Sequence, residues 1–173
     1  EIEESLHRAG GLCICALSCV ERLSDILAGF AAEYGNADFR IGSTPEGSDL
    51  LLDSAVSLDE VPAGAEVLFD EEICIAVPDG HRFADCGAVS LTELADDPFI
   101  ALSGSESFQQ VSEHIFRSAG IAMHAAIECD SLALQSRLLS CGMGIALAAA
   151  GEWRQLCEEG SVHLLHIRDA ECR

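Results

Sequence analysis

Basic residues are scarce in this chain: Lys and Arg together number 9, against 30 Asp and Glu, which gives a formal net charge of −21. A surface of that sign repels a phosphate backbone, whose binding depends on Lys and Arg side chains that neutralise phosphates. We therefore expect this chain not to bind nucleic acid by itself. Most of the acidic side chains are expected to form a solvated surface.

Long hydrophobic runs are also missing, since no apolar stretch approaches the roughly 20 residues that a membrane-spanning helix requires. No secretory signal opens the chain. The 173 residues are nevertheless 49% hydrophobic, with a mean hydropathy of +0.26, so they can bury the core of one domain or two small lobes. We expect a soluble globular protein without a membrane partner. The first residue is not Met, and residues 1–8 resemble the end of a polar helix, so we expect a fragment of a longer protein.

The nine cysteines contain no CxxC pair, which argues against the usual spacing of a metal site. Cys13 and Cys15 alternate along an apolar segment, and Cys74, Cys129 and Cys141 lie among apolar or small residues, where thiols act as small hydrophobes. We expect core packing, no metal site and no cofactor, while disulfides remain an alternative. An odd count without a secretory signal favours a reducing compartment, the cytoplasm.

Signatures of catalysis are absent as well: GxSxG, phosphate-binding loops and HExxH do not occur. His81 lies in a turn with no nucleophile nearby in sequence, and His163 and His166 fall on opposite faces of one strand. His114 and His124 are expected at the surface or in capping positions. The sequence therefore predicts that the protein is not an enzyme.

The segment 68–102 contains the clearest succession of elements. The apolar run 73–77 is typical of a strand covered on both faces, and Pro78, Asp79 and Gly80 end it in a turn. Ser90 and Glu93 have the spacing of a capping box before a short helix at 91–95. Pro98 ends that helix, and 99–102 is a second strand. Strand, helix and strand predict a parallel crossover unit.

The other apolar segments continue the alternation of strands and helices that is typical of parallel sheets. Leu23, Ile26, Leu27 and Phe30 form one helical stripe after the first strand. The predicted strands are 12–17, 39–41, 50–52, 125–129, 144–147 and 162–167. The predicted helices after residue 102 pass through 108–116, 132–141 and 153–157.

Five motifs in order resemble the effector-binding domain of LysR-type transcriptional regulators, over about residues 11–167. They are Pro78-x-Gly80-His81-x-x-Ala84, Val89-x-Leu91-x-x-Leu94-x-x-x-Pro98-x-Ile100, Phe116-x-x-Ala119-Gly120, Glu128-x-x-Ser131 and Cys-Gly-Met-Gly-Ile-Ala at 141–146. The resemblance implies an α/β fold with two lobes, like the type 2 periplasmic binding proteins, with mostly parallel sheets and helices on both faces. It also implies a separate N-terminal winged helix-turn-helix domain, absent from this chain, through which the intact protein contacts DNA.

The same resemblance suggests domain boundaries. Residues 1–10 would be the end of a linker helix, 11–72 and 162–173 lobe I, and 73–161 lobe II, with 71–77 passing between the lobes. Two departures stand out: 43–48 is too short for the helix that relatives place there, and the chain ends at Arg173, where relatives commonly add a strand and a helix. Lobe I is therefore expected to be incomplete.

Polar residues follow the predicted strands, where ligands of open parallel sheets bind and where helix N-termini present free amides. The candidate effector-binding residues are Ser18, Cys19, Ser43, Thr44, Ser103, Ser105, Ser107 and Ser131. The resemblance places the positions of Ser18, Ser103, Ser105 and Ser131 along the effector cleft. The alternative for each hydroxyl is that it only caps its own helix.

These observations favour a ligand-sensing module of a bacterial transcription regulator, which binds a small molecule between its lobes and shifts a population of subunit arrangements. A carboxylate-bearing effector suits the helix N-termini, whereas the lack of Arg on the expected cleft loops leaves room for a neutral or amine-bearing one. The resemblance implies a homodimer or tetramer through lobe I, with 21–33 and 39–41 at the interface. The alternatives are a solute-binding protein of a transporter and, less favoured, a dehydratase with the same fold.

Overall fold

The computed structural model describes residues 11–18, 20–35, 38–55, 57–104, 106–158 and 160–170. The chain divides into two compact units, Glu1–Ser54 and Ala55–Arg173. Among the described residues, no helix combines the length and apolar character needed to cross a membrane.

The described residues of the first unit form a three-stranded parallel sheet and one helix. Its elements are β1 (Leu12–Ala16), α1 (Val20–Tyr34), β2 (Phe39–Gly42) and β3 (Leu50–Leu52). The strand order is β2-β1-β3, so β1 is central and β2 and β3 form the edges. The parallel strand, helix and strand predicted for this region are confirmed.

The core of the first unit is small. Leu12, Ile14, Ala16 and Leu23 are buried, with Leu27 among the partly buried side chains that pack against them. The predicted stripe on α1 is only partly correct, because Ile26 is 43% exposed. The expected absence of a helix between β2 and β3 is confirmed: a turn replaces it, in which the amide of Ser48 donates to the carbonyl of Pro45.

The second unit is mixed α/β. Its elements are a 3₁₀ helix (Leu58–Glu60), β4 (Ile73–Pro78), β5 (Ala88–Val89), a second 3₁₀ helix (Leu91–Leu94), β6 (Phe99–Leu102), α2 (Glu106–Ser118), β7 (Ala125–Cys129), α3 (Leu132–Ser140), β8 (Ala146–Ala149), α4 (Arg154–Glu158) and β9 (Val162–Ile167). One sheet has the order β5-β9-β4-β8, and β6 pairs in parallel with β7. The strands predicted at 99–102, 125–129 and 162–167 are confirmed.

Two hydrophobic clusters lie on the two faces of β4, because successive side chains of a strand point in opposite directions. Ile75 and Val77 belong to one cluster, while Ala76 packs in the other with Trp153. Both faces of β4 are therefore covered, as its unbroken apolar run predicts. Buried Cys15, Cys74 and Cys129 match the expectation of core packing, but Cys141 is exposed and does not.

The capping box at Ser90 is confirmed, although the helix is a 3₁₀ turn. The amide of Ser90 donates to Glu93 Oε2 over 2.9 Å, and this bond, helped by Arg168, lowers the pKa of Glu93 below its ordinary value. The carboxylate of Asp169 adds a second cap: it accepts from the Ser90 hydroxyl and from the Leu91 amide at 2.8 Å.

The parallel crossover unit expected over 68–102 is wrong. The strand β4 pairs antiparallel with both β8 and β9, whereas β6 pairs with β7 and meets only Ile145 through an isolated parallel bridge. A strand has two edges, and both edges of β4 are occupied, so β6 has no place beside it. The described part of the chain thus contains two antiparallel strand pairs in addition to its parallel ones.

The strand at 162–167, within the segment predicted for lobe I, pairs in the larger sheet of the second unit. The strand β9 pairs with β4 from Ile75↔Leu165 to Pro78↔Val162, and its buried residues complete the core of the second unit. Residues 55–72 group with this unit as well. The predicted boundaries, with 1–10 as the end of a linker helix, 11–72 and 162–173 as lobe I and 73–161 as lobe II, all stay predictions.

Candidate functional site

The carboxyl ends of β6 and β7 bring two of the candidate residues close together. Ser103 follows β6, and its amide and hydroxyl both donate to the carbonyl of Cys129 at the end of β7, over 2.7 and 3.1 Å. Ser131 follows two residues after Cys129. Parallel neighbours end at the same edge of a sheet, so the loops after both strands form one polar surface.

Gly104 makes the closest approach between these two loops. A β-carbon at Gly104 would lie less than 3.0 Å from the carbonyl oxygen of Asp130. Only glycine can occupy this position while the loops keep their spacing. Gln109 on α2 fixes the loop after β6, because its Nε2 donates a hydrogen bond to the carbonyl of Ser103 over 2.8 Å.

Helices begin directly after both loops. Ser131 is the N-cap of α3 and accepts a hydrogen bond from the amide of Leu134 over 3.5 Å. Its hydroxyl therefore caps its own helix, and a further role in effector binding stays a prediction. Ser107 lies half-buried in the first turn of α2. That turn also carries Glu106, whose negative charge opposes the binding of an anion at the helix end.

Gln135 on α3 is a buried polar residue that the sequence reasoning missed. It is 1% exposed, and its Nε2 donates to the carbonyl of Ile100 on β6 over 2.9 Å. Its Oε1 finds no hydrogen-bond partner within the described parts of the chain. Helical spacing from Ser131 is the only sequence signal that could have placed it toward the sheet.

In the first unit, Ser18 follows β1 and precedes α1. Its hydroxyl is buried and has no hydrogen-bond partner among the residues that the structure describes. A ligand atom that accepted or donated a hydrogen bond here would contact a buried polar group of the first unit.

Ser43 and Thr44 follow β2 on an exposed loop. Thr44 borders an open cavity of about 200 Å³, and Ser43 does not. The cavity wall contains one basic and one acidic side chain, Arg40 and Glu46. Asp49 closes the same loop, because its carboxylate accepts from the amide of Cys13 over 2.9 Å. Arg40 was missed because it lies within β2, not after it.

The structure thus joins Ser103 and Ser131 in one surface and places Ser107 on the adjoining helix, while Ser18, Ser43 and Thr44 belong to the first unit. Cys19 and Ser105 lie outside the described residues. As a binding site, all eight stay a prediction.

His81 and His163 each lie close to a carboxylate. Asp97 receives two hydrogen bonds from the Arg82 guanidinium, both 2.6 Å long, and lies 3.4 Å from His81 Nε2. His163 Nε2 lies 3.4 Å from Asp79. Burial raises the pKa of the Cys129 thiol, which disfavours its reactive thiolate form. None of these described groups forms a nucleophile paired with an oriented base.

Comparison with known proteins identifies relatives of this chain. The family described as the LysR substrate binding domain matches residues 7–173. The chain is 28% identical over 160 residues to the transcriptional activator protein LysR of Escherichia coli (strain K12), covering 83% of this chain and 50% of that protein. It is 24% identical over 132 residues to the uncharacterized HTH-type transcriptional regulator YybE of Bacillus subtilis (strain 168), covering 71% of this chain and 45% of that protein. The chain spans about half the length of these relatives.

Solved structures resemble the fold. A putative LysR family transcriptional regulator from Pseudomonas aeruginosa has a TM-score of 0.70 at 20% identity, over 98% of this chain and 65% of that one. The effector-binding domain of QuiR, solved with shikimate, has a TM-score of 0.66 at 12% identity, over 94% of this chain and 82% of that one. These similarities confirm the expected periplasmic-binding-protein-like α/β fold.

Proposed function

The chain belongs to the family of LysR substrate-binding domains, and from this premise we propose that it is the small-molecule sensor of a bacterial LysR-type transcriptional regulator. The observation that carries the proposal is the family match over 7–173. DNA binding belongs to a separate N-terminal domain, because a net charge of −21 repels phosphates. The relatives are transcription regulators, which supports this function over transport of a solute.

The loops after β6 and β7 support a role in effector binding. They are held at a fixed spacing by the hydrogen bonds of Ser103 and by the contact at Gly104. Such a pre-formed surface loses little entropy when a ligand binds. The buried hydroxyl of Ser18 offers the first unit one further polar contact.

The charges at the second unit's surface favour a neutral or amine-bearing effector over a carboxylate. Glu106 and Asp130 are exposed beside the two loops, and either carboxylate repels an anion and attracts an amine. Arg40 in the cavity of the first unit is offset by Glu46 on the same wall. The sensor is proposed to work in the cytoplasm and without catalysis, since the described residues provide no activated nucleophile.

Assembly through the first unit is part of the proposal. The edge strand β2 exposes Ile41 to 55%, and Leu51 on the opposite edge strand is 56% exposed. Exposed apolar residues on sheet edges are typical of surfaces that pair with another chain. A homodimer or tetramer that buries this surface agrees with the interface expected at 21–33 and 39–41.

A thermal-shift screen tests the sensor function, because a ligand that binds only the folded state raises the melting temperature. The screen should compare neutral polyols, amines and carboxylates of similar size. We expect a rise with a neutral or amine-bearing compound. The rise should shrink in Ser131→Ala but persist in Ser140→Ala, which changes the far end of α3. If no compound of any class raises the melting temperature, effector sensing loses its support.

A further inference from the structure

Three side chains of different chemistry converge at the beginning of β4. One ligand atom each from Glu72, Cys74 and His166 lies within 4.8 Å of the others. The register of β4 and β9, in which Ile75 faces Leu165, places Cys74 opposite His166. Glu72 precedes Cys74 by two residues, which directs it to the same face of the strand.

This set of donors is the one that zinc prefers, a thiolate, an imidazole nitrogen and a carboxylate oxygen. Mg²⁺ and Ca²⁺ take oxygen ligands instead. We propose that Glu72, Cys74 and His166 bind one Zn²⁺ ion in tetrahedral geometry, with solvent as the fourth ligand. The cysteine spacing gave no sign of this site, because Glu72 and His166 are 94 positions apart in sequence.

The dimensions of the cluster suit such an ion. Zinc–ligand bonds of about 2.0–2.3 Å in a tetrahedron place neighbouring ligand atoms roughly 3.3–3.8 Å apart. His166 Nδ1 and Glu72 Oε1 now share a hydrogen bond of 2.8 Å, so both groups turn slightly apart to admit the ion. The side chains of His166 and Glu72 are 64% and 26% exposed, so they can make this adjustment.

The solvent access and the electrostatic surroundings of the cluster also favour the binding of a cation. Cys74 is 2% exposed and forms the floor of the cluster, while His166 opens it to solvent. The nearby Arg168 directs its charge to Glu93, whose carboxylate lies 2.7 Å from its guanidinium. The net charge of −21 raises the local concentration of divalent cations. On binding, the Cys74 thiol forms its bond to zinc and releases its proton to solvent.

Cobalt reports on the site directly, because Co²⁺ replaces Zn²⁺ in tetrahedral sites and a thiolate ligand adds a charge-transfer band. The reduced, metal-free protein is titrated with Co²⁺ and then with Zn²⁺. We expect one equivalent of Co²⁺ to produce the band and Zn²⁺ to abolish it. Cys74→Ser should remove the band, and His166→Gln or Glu72→Gln should weaken Co²⁺ affinity by at least about tenfold, since even loss of an outer-sphere partner costs that much.

Matched controls separate this site from other thiols and histidines. His163→Gln changes the second histidine of β9, and Cys86→Ser changes an exposed thiol outside the cluster. Both variant chains should therefore bind Co²⁺ as the original chain does. If Cys74→Ser does not fold, as judged by circular dichroism, the exposed His166→Gln decides. The proposal is overturned if the original chain shows no charge-transfer band with Co²⁺. It is also overturned if none of the three ligand substitutions changes the intensity of the band or the Co²⁺ affinity.

Discussion

The two units of the chain differ in how much apolar surface they bury. Among the described residues, the second unit holds clusters of 12 and 8 buried residues, one on each face of β4. The first unit holds one cluster of 4, with its edge strands largely exposed. We therefore expect the second unit to be stabilised mainly by its own hydrophobic core. The first unit should depend more on contacts made by its exposed surface.

Truncating the second unit's core should have the largest effect. Trp153 is 1% exposed, and Trp153→Ala should lower the free energy of unfolding by about 3–5 kcal/mol. Leu23→Ala in the first unit should cost less, about 2 kcal/mol, because a thin core can close around the gap. Denaturant unfolding followed by circular dichroism measures both. Equal losses would contradict the difference between the units.

The contact between the loops after β6 and β7 should be the next most sensitive. A β-carbon in Gly104→Ala must push the Asp130 backbone away, and we expect a loss of about 1–3 kcal/mol, measured as a lower melting temperature. Gly87→Ala is the matched control, since a β-carbon there meets nothing within 4 Å. A Gly104→Ala chain as stable as this control would show that the loops are not held by the contact.

Acid should weaken the cap on the second 3₁₀ helix. Burial acts to raise the pKa of Asp169, but hydrogen bonds from Ser90, Leu91 and Thr92 together lower it below its ordinary value of 3.8. The carboxylate therefore stabilises the fold fully above that value, and the stabilisation is lost as the pH falls through the lower, folded-state pKa.

The Asp169→Asn chain should consequently show a flatter decline of stability between neutral pH and pH 3, measured by thermal melts at fixed ionic strength. Exposed Asp85 provides the comparison, and Asp85→Asn should keep the original profile. If the melting temperatures of the two variants fall in the same way as the pH is lowered, the Asp169 carboxylate does not stabilise the 3₁₀ helix as proposed.

The smallest effect on stability should come from the exposed face of the first unit. Ile41→Ser changes a side chain that is 55% exposed, and surface substitutions usually shift stability by less than about 0.5 kcal/mol. Its effect on assembly should be larger: light scattering should show a smaller species than the original chain forms, with Leu58→Ser, an exposed change in the second unit, as the control. Unchanged size would remove the support that Ile41 gives to an interface on β2.

Local structure was predictable from sequence because local chemistry determines it. The apolar run at 73–77, the spacing of Ser90 and Glu93, and the breaks at glycine and proline all led to observed elements. Which strands pair with one another was not predictable in the same way. Nothing near 73–78 indicates that β8 and β9 occupy both of its edges, since those strands come about 70–90 residues later in the chain.

The same limit applies to the candidate site. The position of Ser103 and Ser131 after neighbouring strands was predictable, because polar residues after parallel strands lie at one edge of the sheet. Gly104, Gln109 and Gln135 were missed, because their contacts with Asp130, Ser103 and Ile100 depend on which strands become neighbours. A cluster such as Glu72 and His166 is hidden for the same reason.

The late arrival of both partners of β4 has a consequence for synthesis on the ribosome. At about 5–20 residues per second, roughly 5–20 s separate the emergence of β4 from that of β9. Throughout this interval at least one edge of β4 lacks its partner, because β8 emerges about 70 residues after β4 and β9 emerges later still. Unpaired strand edges can associate with other chains, so we expect rapid overproduction to favour aggregation of the nascent protein before β9 has emerged.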